Sequence, residues 1–201
     1  MTTAWVTGGS SGIGRAIAGI LVKHNVREVL SARGPKRLEQ AAESITADDH
    51  RVKSLVCDSA SSRDVETLMR TVSDSWGGID LMVNNAGVAH FENISGLTEK
   101  QWDEMMQVNA KGAFLCSKAV LPGMIDRGQG HIINVVSVAG RQPFPGSGGY
   151  CASKYAMQGF TDVLRMEARP HGIRVTSLMP GATATPLWGD APVDFDAMMQ
   201  P

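Results

Sequence analysis

The sequence predicts an α/β fold: a doubly wound, mainly parallel sheet with helices on both faces. Three observations carry this expectation. Short apolar runs alternate with helical patterns from end to end. The apolar runs are continuous rather than alternating, as strands buried on both faces require. A glycine-rich turn, TGGSSGIG at 7–14, joins the first strand to the first helix.

AWVT (4–7) reads as the first strand and GIGRAIAGILVKH as the helix after it. Ile13, Ile17, Ile20 and Leu21 form one apolar stripe there. REVLSA (27–32) is a second strand, and PKRLEQAAESI a helix with Pro35 near its start. VKSLVC (52–57) is a third strand. Asp64 to Trp76 follows as a helix with Val65, Leu68, Met69, Val72 and Trp76 on one face. LMVNNAG (81–87) is a fourth strand running into a loop. Thr98 and Gln101 have capping-box spacing and open a helical region that runs, with a break, to about Arg127. HIINVVS (131–137) is a fifth strand, and the loop GRQPFPGSGG leads to a helix carrying Tyr150. GIRVTSLMPG (172–181) is a sixth strand ending at Pro180. No repeat, linker or low-complexity segment interrupts the chain, so residues 1–201 read as one domain.

Composition narrows the function classes. The chain is 43% hydrophobic and 19% charged, enough to bury a large core. A net charge of -1 points to neither nucleic acid nor an anionic membrane. MTTAWVTGGS has no basic start and no long apolar run, so no signal peptide is expected, and no window suits a membrane span. Cys57, Cys116 and Cys151 are far apart and odd in number, and His24, His50, His90, His131 and His171 are scattered. Neither a disulfide framework nor a metal site is expected, and a reducing cytoplasm fits best.

Gly8, Gly12 and Gly14 stand where a helix N-terminus and bare backbone can approach a pyrophosphate. A side chain there would hold the phosphates away. Ser10, Ser11 and Ile13 share the loop and are candidates for the same ligand. The spacing is G-x3-G-x-G, not G-x-G-x-x-G. A nucleoside-triphosphatase loop nearly fits from Gly9 to Gly14, but Arg15 and Ala16 replace its lysine and hydroxyl. The remaining alternative is a glycine-rich turn with no ligand. At the end of the second strand, where NAD-binding chains place a carboxylate, stand Ala32 and Arg33, with Lys36 and Arg37 beyond. A guanidinium suits a 2′-phosphate, so NADP(H) is expected over NAD(H). The alternative is that these bases are a solvated helix start.

Tyr150 and Lys154 are four apart and share a helical face, a spacing that chance alone could produce. With TGGSSGIG at 7–14, Asp58, NNAG at 84–87, Asn109, Ser137 in NVVSVAG, Y-x3-K at 150–154 and PGATATP at 180–186, however, the chain resembles the short-chain dehydrogenase/reductase family. The likeness runs from Thr7 to about Pro186, and the x3 glycine spacing looks like its compact branch. The resemblance implies a Rossmann sheet and a catalytic set of Asn109, Ser137, Tyr150 and Lys154. It implies Asp58 at the adenine amino group, with Asn84, Ala86 and Gly87 lining the cofactor and steadying the sheet. Pro180, Gly181 and Thr185 would hold the nicotinamide carboxamide, with the Thr183 backbone nearby. Lys154 would also bind the nicotinamide ribose, and Asn109 would hold a water linking Lys154 to solvent.

The chemistry asks for these residue types. Carbonyl reduction needs a hydride, which the cofactor supplies, and a proton for the developing alkoxide. A phenol titrates near pH 10 and a neighbouring ammonium lowers that value, so Lys154 is expected to acidify Tyr150. Ser137, thirteen residues before Tyr150, can hydrogen-bond the substrate oxygen. Singly, Ser137 reads equally as a strand terminator and Asn109 as a helix-break residue. Cys151 reads as a small buried filler, and Leu187 and Trp188 as substrate-pocket walls or, equally, as exposed residues or core packing.

The expected activity is an NADP(H)-dependent interconversion of a secondary alcohol and a ketone. The alternative is a dinucleotide-binding protein without turnover. A modest apolar substrate is expected, its pocket built from the loop after Ser137, residues 90–96 and the region after Pro186. Family members continue past FDAMMQP (195–201) into a further helix and edge strand, so a fragment lacking that final strand is expected. In the complete protein a homo-oligomer is expected, through the helix region 110–127 and the Tyr150 helix.

Overall fold

The computed structural model describes residues 1–46, 48 and 50–189. The stretch 195–201, on which the expectation of a missing final strand rests, lies outside the described residues. Six strands, β1 (Thr3–Thr7), β2 (Arg27–Ala32), β3 (Val52–Val56), β4 (Leu81–Asn84), β5 (Gly130–Val135) and β6 (Ile173–Leu178), form one sheet. Its order is β3-β2-β1-β4-β5-β6, and every neighbouring pair is parallel. The helices are α1 (Gly12–Lys23), α2 (Pro35–Ile45), α3 (Ser62–Trp76), α4 (Glu99–Met105), α5 (Gly112–Arg127) and α6 (Gly148–Ala168). Among the described residues no helix is long and apolar enough to cross a membrane.

The sheet separates two cores because successive strand residues face opposite ways. On β1, Trp5 enters a cluster with Val65, Leu68, Val72, Cys116, Val120 and Leu164 from α3, α5 and α6. Its neighbour Val6 enters the opposite cluster with Ala18, Val22 and Leu38 from α1 and α2. All five residues of β1 are buried. Continuous apolar runs were expected of every strand, but β6 alternates buried and exposed residues from Ile173 to Thr176, and in β3 only Val52 is buried. These two are the outer strands of the described sheet, where one face is half solvated. The α1 stripe also differs from the sequence pattern: Gly14, Ala18 and Val22 are its buried positions and Ile20 is 57% exposed.

Local chemistry sets the helix limits. Ser61 caps α3 by accepting from the Asp64 amide, and Gly77 ends it in the left-handed region at φ 78°. Thr98 and Gln101 form the expected capping box at the start of α4. The expected break after α4 is a π-helical segment, Met106–Lys111, after which the helix resumes as α5. Asn109 lies inside that segment, and such bulges concentrate at functional sites.

Candidate active site

One cleft of about 810 Å³ runs along the carboxyl edge of the sheet. It is lined by the segments that follow all six strands. The strand order reverses between β1 and β4, where two connections leave in opposite senses and open a crevice. Gly8, Ser10, Ser11, Gly12, Ile13, Arg33, Asp58, Ala86, Gly87, Ser137, Tyr150, Lys154, Pro180, Gly181, Thr183 and Thr185 all line this cleft. Three of the expected residues, Gly14, Asn84 and Asn109, stand behind its wall.

The glycine loop is fastened to the segment after β4. The Thr7 hydroxyl accepts from the backbone amides of Asn85 and Ala86, each at 3.0 Å. Asn85 Nδ2 donates to the carbonyls of Thr7 (2.9 Å) and Gly8 (3.3 Å). This closeness gives two glycines a reason beyond phosphate access. A Cβ on Gly8, whose φ is 65°, would sit 2.9 Å from Ala86 Cα. A Cβ on Gly14 would sit 2.6 Å from the Gly8 carbonyl oxygen and collide with Asn85 Nδ2. Gly14→Ala is therefore expected to destabilise the free protein by about 1–3 kcal/mol through overpacking, with no dinucleotide present. Urea unfolding checks this; unchanged stability would mean that Gly14 serves only the approach of a ligand. Gly12, at φ 54°, faces the opposite wall, where a Cβ would meet Thr185 at 3.3 Å.

At the other end of the cleft stand Tyr150, Lys154 and Ser137. Tyr150 is 9% exposed and packs with Met105, Ala139 and Cys151. Ser137 lies two residues beyond β5, later than the strand end expected of it. Its Oγ accepts from the Ala139 amide at 3.1 Å and caps a 3-10 turn. The strand-terminator reading thus uses the acceptor side of this hydroxyl and leaves its proton to donate into the cleft. Lys154 is 4% exposed; its Nζ donates to the Val135 carbonyl at 3.0 Å and lies 5.7 Å from the centre of the Tyr150 ring. Burial pushes the Lys154 ammonium down to about 8. Burial raises the Tyr150 phenol above its ordinary value, and a hydrogen bond with Ser137 pulls it back. Acidification of Tyr150 by Lys154 was expected; here burial raises the phenol, and the group that lowers it is Ser137.

Asn109 is fully buried and clamps two elements. Its Oδ1 accepts from the Val88 amide (2.8 Å), and Nδ2 donates to the Val88 carbonyl and to Ser153 Oγ, both at 2.9 Å. Ser153 precedes Lys154 on α6, so this side chain ties the loop after β4 to the Tyr150 helix. Gly87 occupies the gap between: a Cβ there would lie 3.4 Å from Asn109 Oδ1 and 3.8 Å from Lys154 Nζ. Asn84 turns away from the cleft. Its Nδ2 donates to Ser117 Oγ (2.9 Å) and Asn134 Oδ1 (2.8 Å), and Asn134 donates to Thr161 Oγ1 at 2.8 Å. This buried ladder pins β4 to β5, α5 and α6, which fits the sheet-steadying half of its expected role.

Between the two ends lie the groups of the expected substrate pocket, with several that the sequence left unassigned. Phe91 stacks on Trp188 with ring centres 5.0 Å apart and tilts against Tyr150 at 5.9 Å. Trp188 Nε1 donates to the Thr183 carbonyl at 2.8 Å. Phe91, Phe144, Leu187 and Trp188 make an apolar wall beside Tyr150, as expected of Leu187 and Trp188 in their pocket role. Of the expected segment 90–96, His90 and Phe91 line the cleft and Ile94 is 70% exposed. Cys57 lines the cleft too, but burial and then the carboxylates of Asp64 and Asp58 push its thiol up to about 12, which makes it a poor nucleophile. Asp58 Oδ1 accepts from the Ala60 amide at 3.0 Å and its position faces the cleft. Asn85 and Glu104 escaped sequence reasoning because their partners are remote in the chain. The only local hint for Asn85 was its place inside NNAG.

The sequence matches the short chain dehydrogenase model over residues 2–194. It is 37% identical over 186 residues to glycine betaine reductase ATRR of Emericella nidulans, covering 92% of this chain and 15% of that protein. It is 35% identical over 201 residues to the sepiapterin reductase of Chlorobaculum tepidum, covering 96% of this chain and 82% of that one. Among solved structures, a metagenomic short-chain oxidoreductase in complex with NADP superposes with a TM-score of 0.85 at 36% identity. That likeness covers 90% of this chain and 82% of the other. With this fold and these matches, the chain belongs to the short-chain dehydrogenase/reductase family.

Proposed function

We propose that this chain is an NADP(H)-dependent oxidoreductase that interconverts a secondary alcohol and a ketone, acting as one dinucleotide-binding catalytic domain. The observation that carries the reading is one cleft holding the glycine loop at one end and Tyr150, Ser137 and Lys154 at the other. The residues fit a dinucleotide. The α1 N-terminus opens on the cleft with Ser11 as its cap residue, whose side chain makes no capping bond. Gly12 offers a bare backbone there, and Gly87 leaves the space beside Lys154 unfilled.

Nicotinamide, when bound, supplies the hydride. Tyr150 delivers a proton to the carbonyl oxygen in reduction and accepts it in oxidation. Ser137 donates a hydrogen bond to the same oxygen and steadies its growing negative charge. Lys154, charged below about pH 8, supplies the positive field beside both. Asn109 positions Lys154 through Ser153 and the Val88 loop. Arg33 is the cation for a 2′-phosphate, and the NADP found in the metagenomic relative favours the same cofactor here. Asp58 meets the adenine, and the 180–185 segment the carboxamide. The apolar wall of Phe91, Phe144, Leu187 and Trp188 suits a modest apolar ketone.

Two wider readings go with this one. Three free buried cysteines suit a reducing cytoplasm. Exposed Phe114 and Ile125 on α5, with Tyr155, Val163 and Met166 on α6, suit a homo-oligomer joined through these helices. The test of the activity is NADPH consumption with a panel of small ketones. Reduction of at least one, faster with NADPH than with NADH, is the expected result. NADPH binding with no carbonyl reduced would instead favour a binding protein without turnover.

A further inference from the structure

We propose that Glu104 weakens the preference for NADP(H) by competing with a ribose 2′-phosphate for Arg33, an inference that rests on the dinucleotide reading above. Arg33 follows β2 and Glu104 lies on α4, seventy-one residues later. Arg33 Nη1 nevertheless stands 3.5 Å from Glu104 Oε1. The other carboxylate oxygen, Oε2, is 3.0 Å from Nε2 of His90, in the segment after β4. All three side chains belong to residues lining the same cleft. The cation assigned to a 2′-phosphate is therefore held by a carboxylate that is itself anchored from behind.

The strengths of the two contacts decide what this does. The Arg33 side chain is 57% exposed, and its contact with Glu104 is long, so water screens it. A 2′-phosphate presents three acceptor oxygens and close to two negative charges, and it binds a guanidinium through shorter, paired hydrogen bonds. The phosphate wins Arg33, but each binding event must first break the ion pair. Glu104 stays ionised through this exchange, because the His90 hydrogen bond holds its carboxyl below the usual range, with Arg33 adding to the effect. A dinucleotide with a free 2′-hydroxyl asks nothing of Arg33 and leaves the pair intact. Glu104 thus handicaps NADP(H) and is neutral toward NAD(H). Arg37, on the same wall, keeps some positive charge near the site when Arg33 is removed.

Calorimetric titration of NADPH and NADH into wild type, Glu104→Gln, Arg33→Ala and the double variant tests this. Glu104→Gln should tighten NADPH about two- to fivefold, the range of one exposed ion pair. NADH affinity should stay within about twofold, which also shows that the fold is intact. In the Arg33→Ala background the same substitution should leave NADPH affinity unchanged within about twofold, since nothing remains to compete for. An unchanged NADPH-to-NADH ratio, a weaker NADPH affinity, or equal tightening without Arg33 each overturns the proposal. Failure of wild type to bind either dinucleotide overturns the dinucleotide reading and this inference with it.

Discussion

Tyr150→Phe should cut ketone reduction by about 10²–10⁴-fold while leaving NADPH affinity within about threefold. The substitution removes one oxygen from a side chain that is 9% exposed and already packed by Met105, Ala139 and Cys151, so the pocket keeps its shape. The lost oxygen is the group placed beside Ser137, at the carboxyl end of β5. Its phenol is held above its ordinary value by burial, so at neutral pH it is protonated and ready to donate. Lys154, pushed down to about 8, is still largely charged there. Single-turnover NADPH oxidation measures the chemical step, and fluorescence titration measures binding. Equal reduction rates for the two proteins would remove Tyr150 from the mechanism. A parallel loss of NADPH affinity would make it a binding residue.

The element order was legible because period and punctuation agree along the chain. Thr98 and Gln101, three apart, announce a cap that forms as expected. Ile20 misled because helical periodicity marks a stripe without saying where the stripe ends, and it stands at the edge, more than half exposed. β3 and β6 were misjudged because burial on the second face depends on sheet position, which no local pattern encodes. In the site, Tyr150, Lys154 and Ser137 were legible only through the ordered motifs that carry the family resemblance, since the spacing of the first two and the strand-end place of the third are each open to a bland reading. The direction of the Tyr150 shift was not, since it turns on depth of burial. Asn109 was expected at the site, yet its clamp on Val88 and Ser153 joins residues twenty-one and forty-four positions away. The Arg33–Glu104–His90 array escaped for the same reason: each side chain alone looks like ordinary surface charge.

The contribution of Glu28 to the stability of this protein should fall as pH rises from about 5 to about 8, and Glu28→Gln should remove that fall. Glu28 lies on β2, is fully buried, and neither carboxylate oxygen has a hydrogen-bond partner among the described residues. Burial raises its carboxyl from 4.5 to about 8, with Arg51 opposing. The sign follows from proton counting. Between these values the unfolded chain has released its proton and the folded chain retains it, so the folded state binds more protons and stability declines with pH. Below 4.5 both states are protonated, and above about 8 both are ionised with the full penalty in place. Each pH unit inside the window costs up to about 1.4 kcal/mol, so the whole effect is a few kcal/mol. Glutamine has nearly the same shape and does not titrate. Its amide also needs partners in an apolar setting, so the absolute stability of the variant is a poor readout. The difference between variant and wild type at pH 5, 6.5 and 8, from urea unfolding, isolates the one titration. It should move steadily in favour of the variant as pH rises. A difference that does not change with pH would place a compensating charge beside Glu28 and end this account of β2, the strand whose end delivers Arg33 to the cleft.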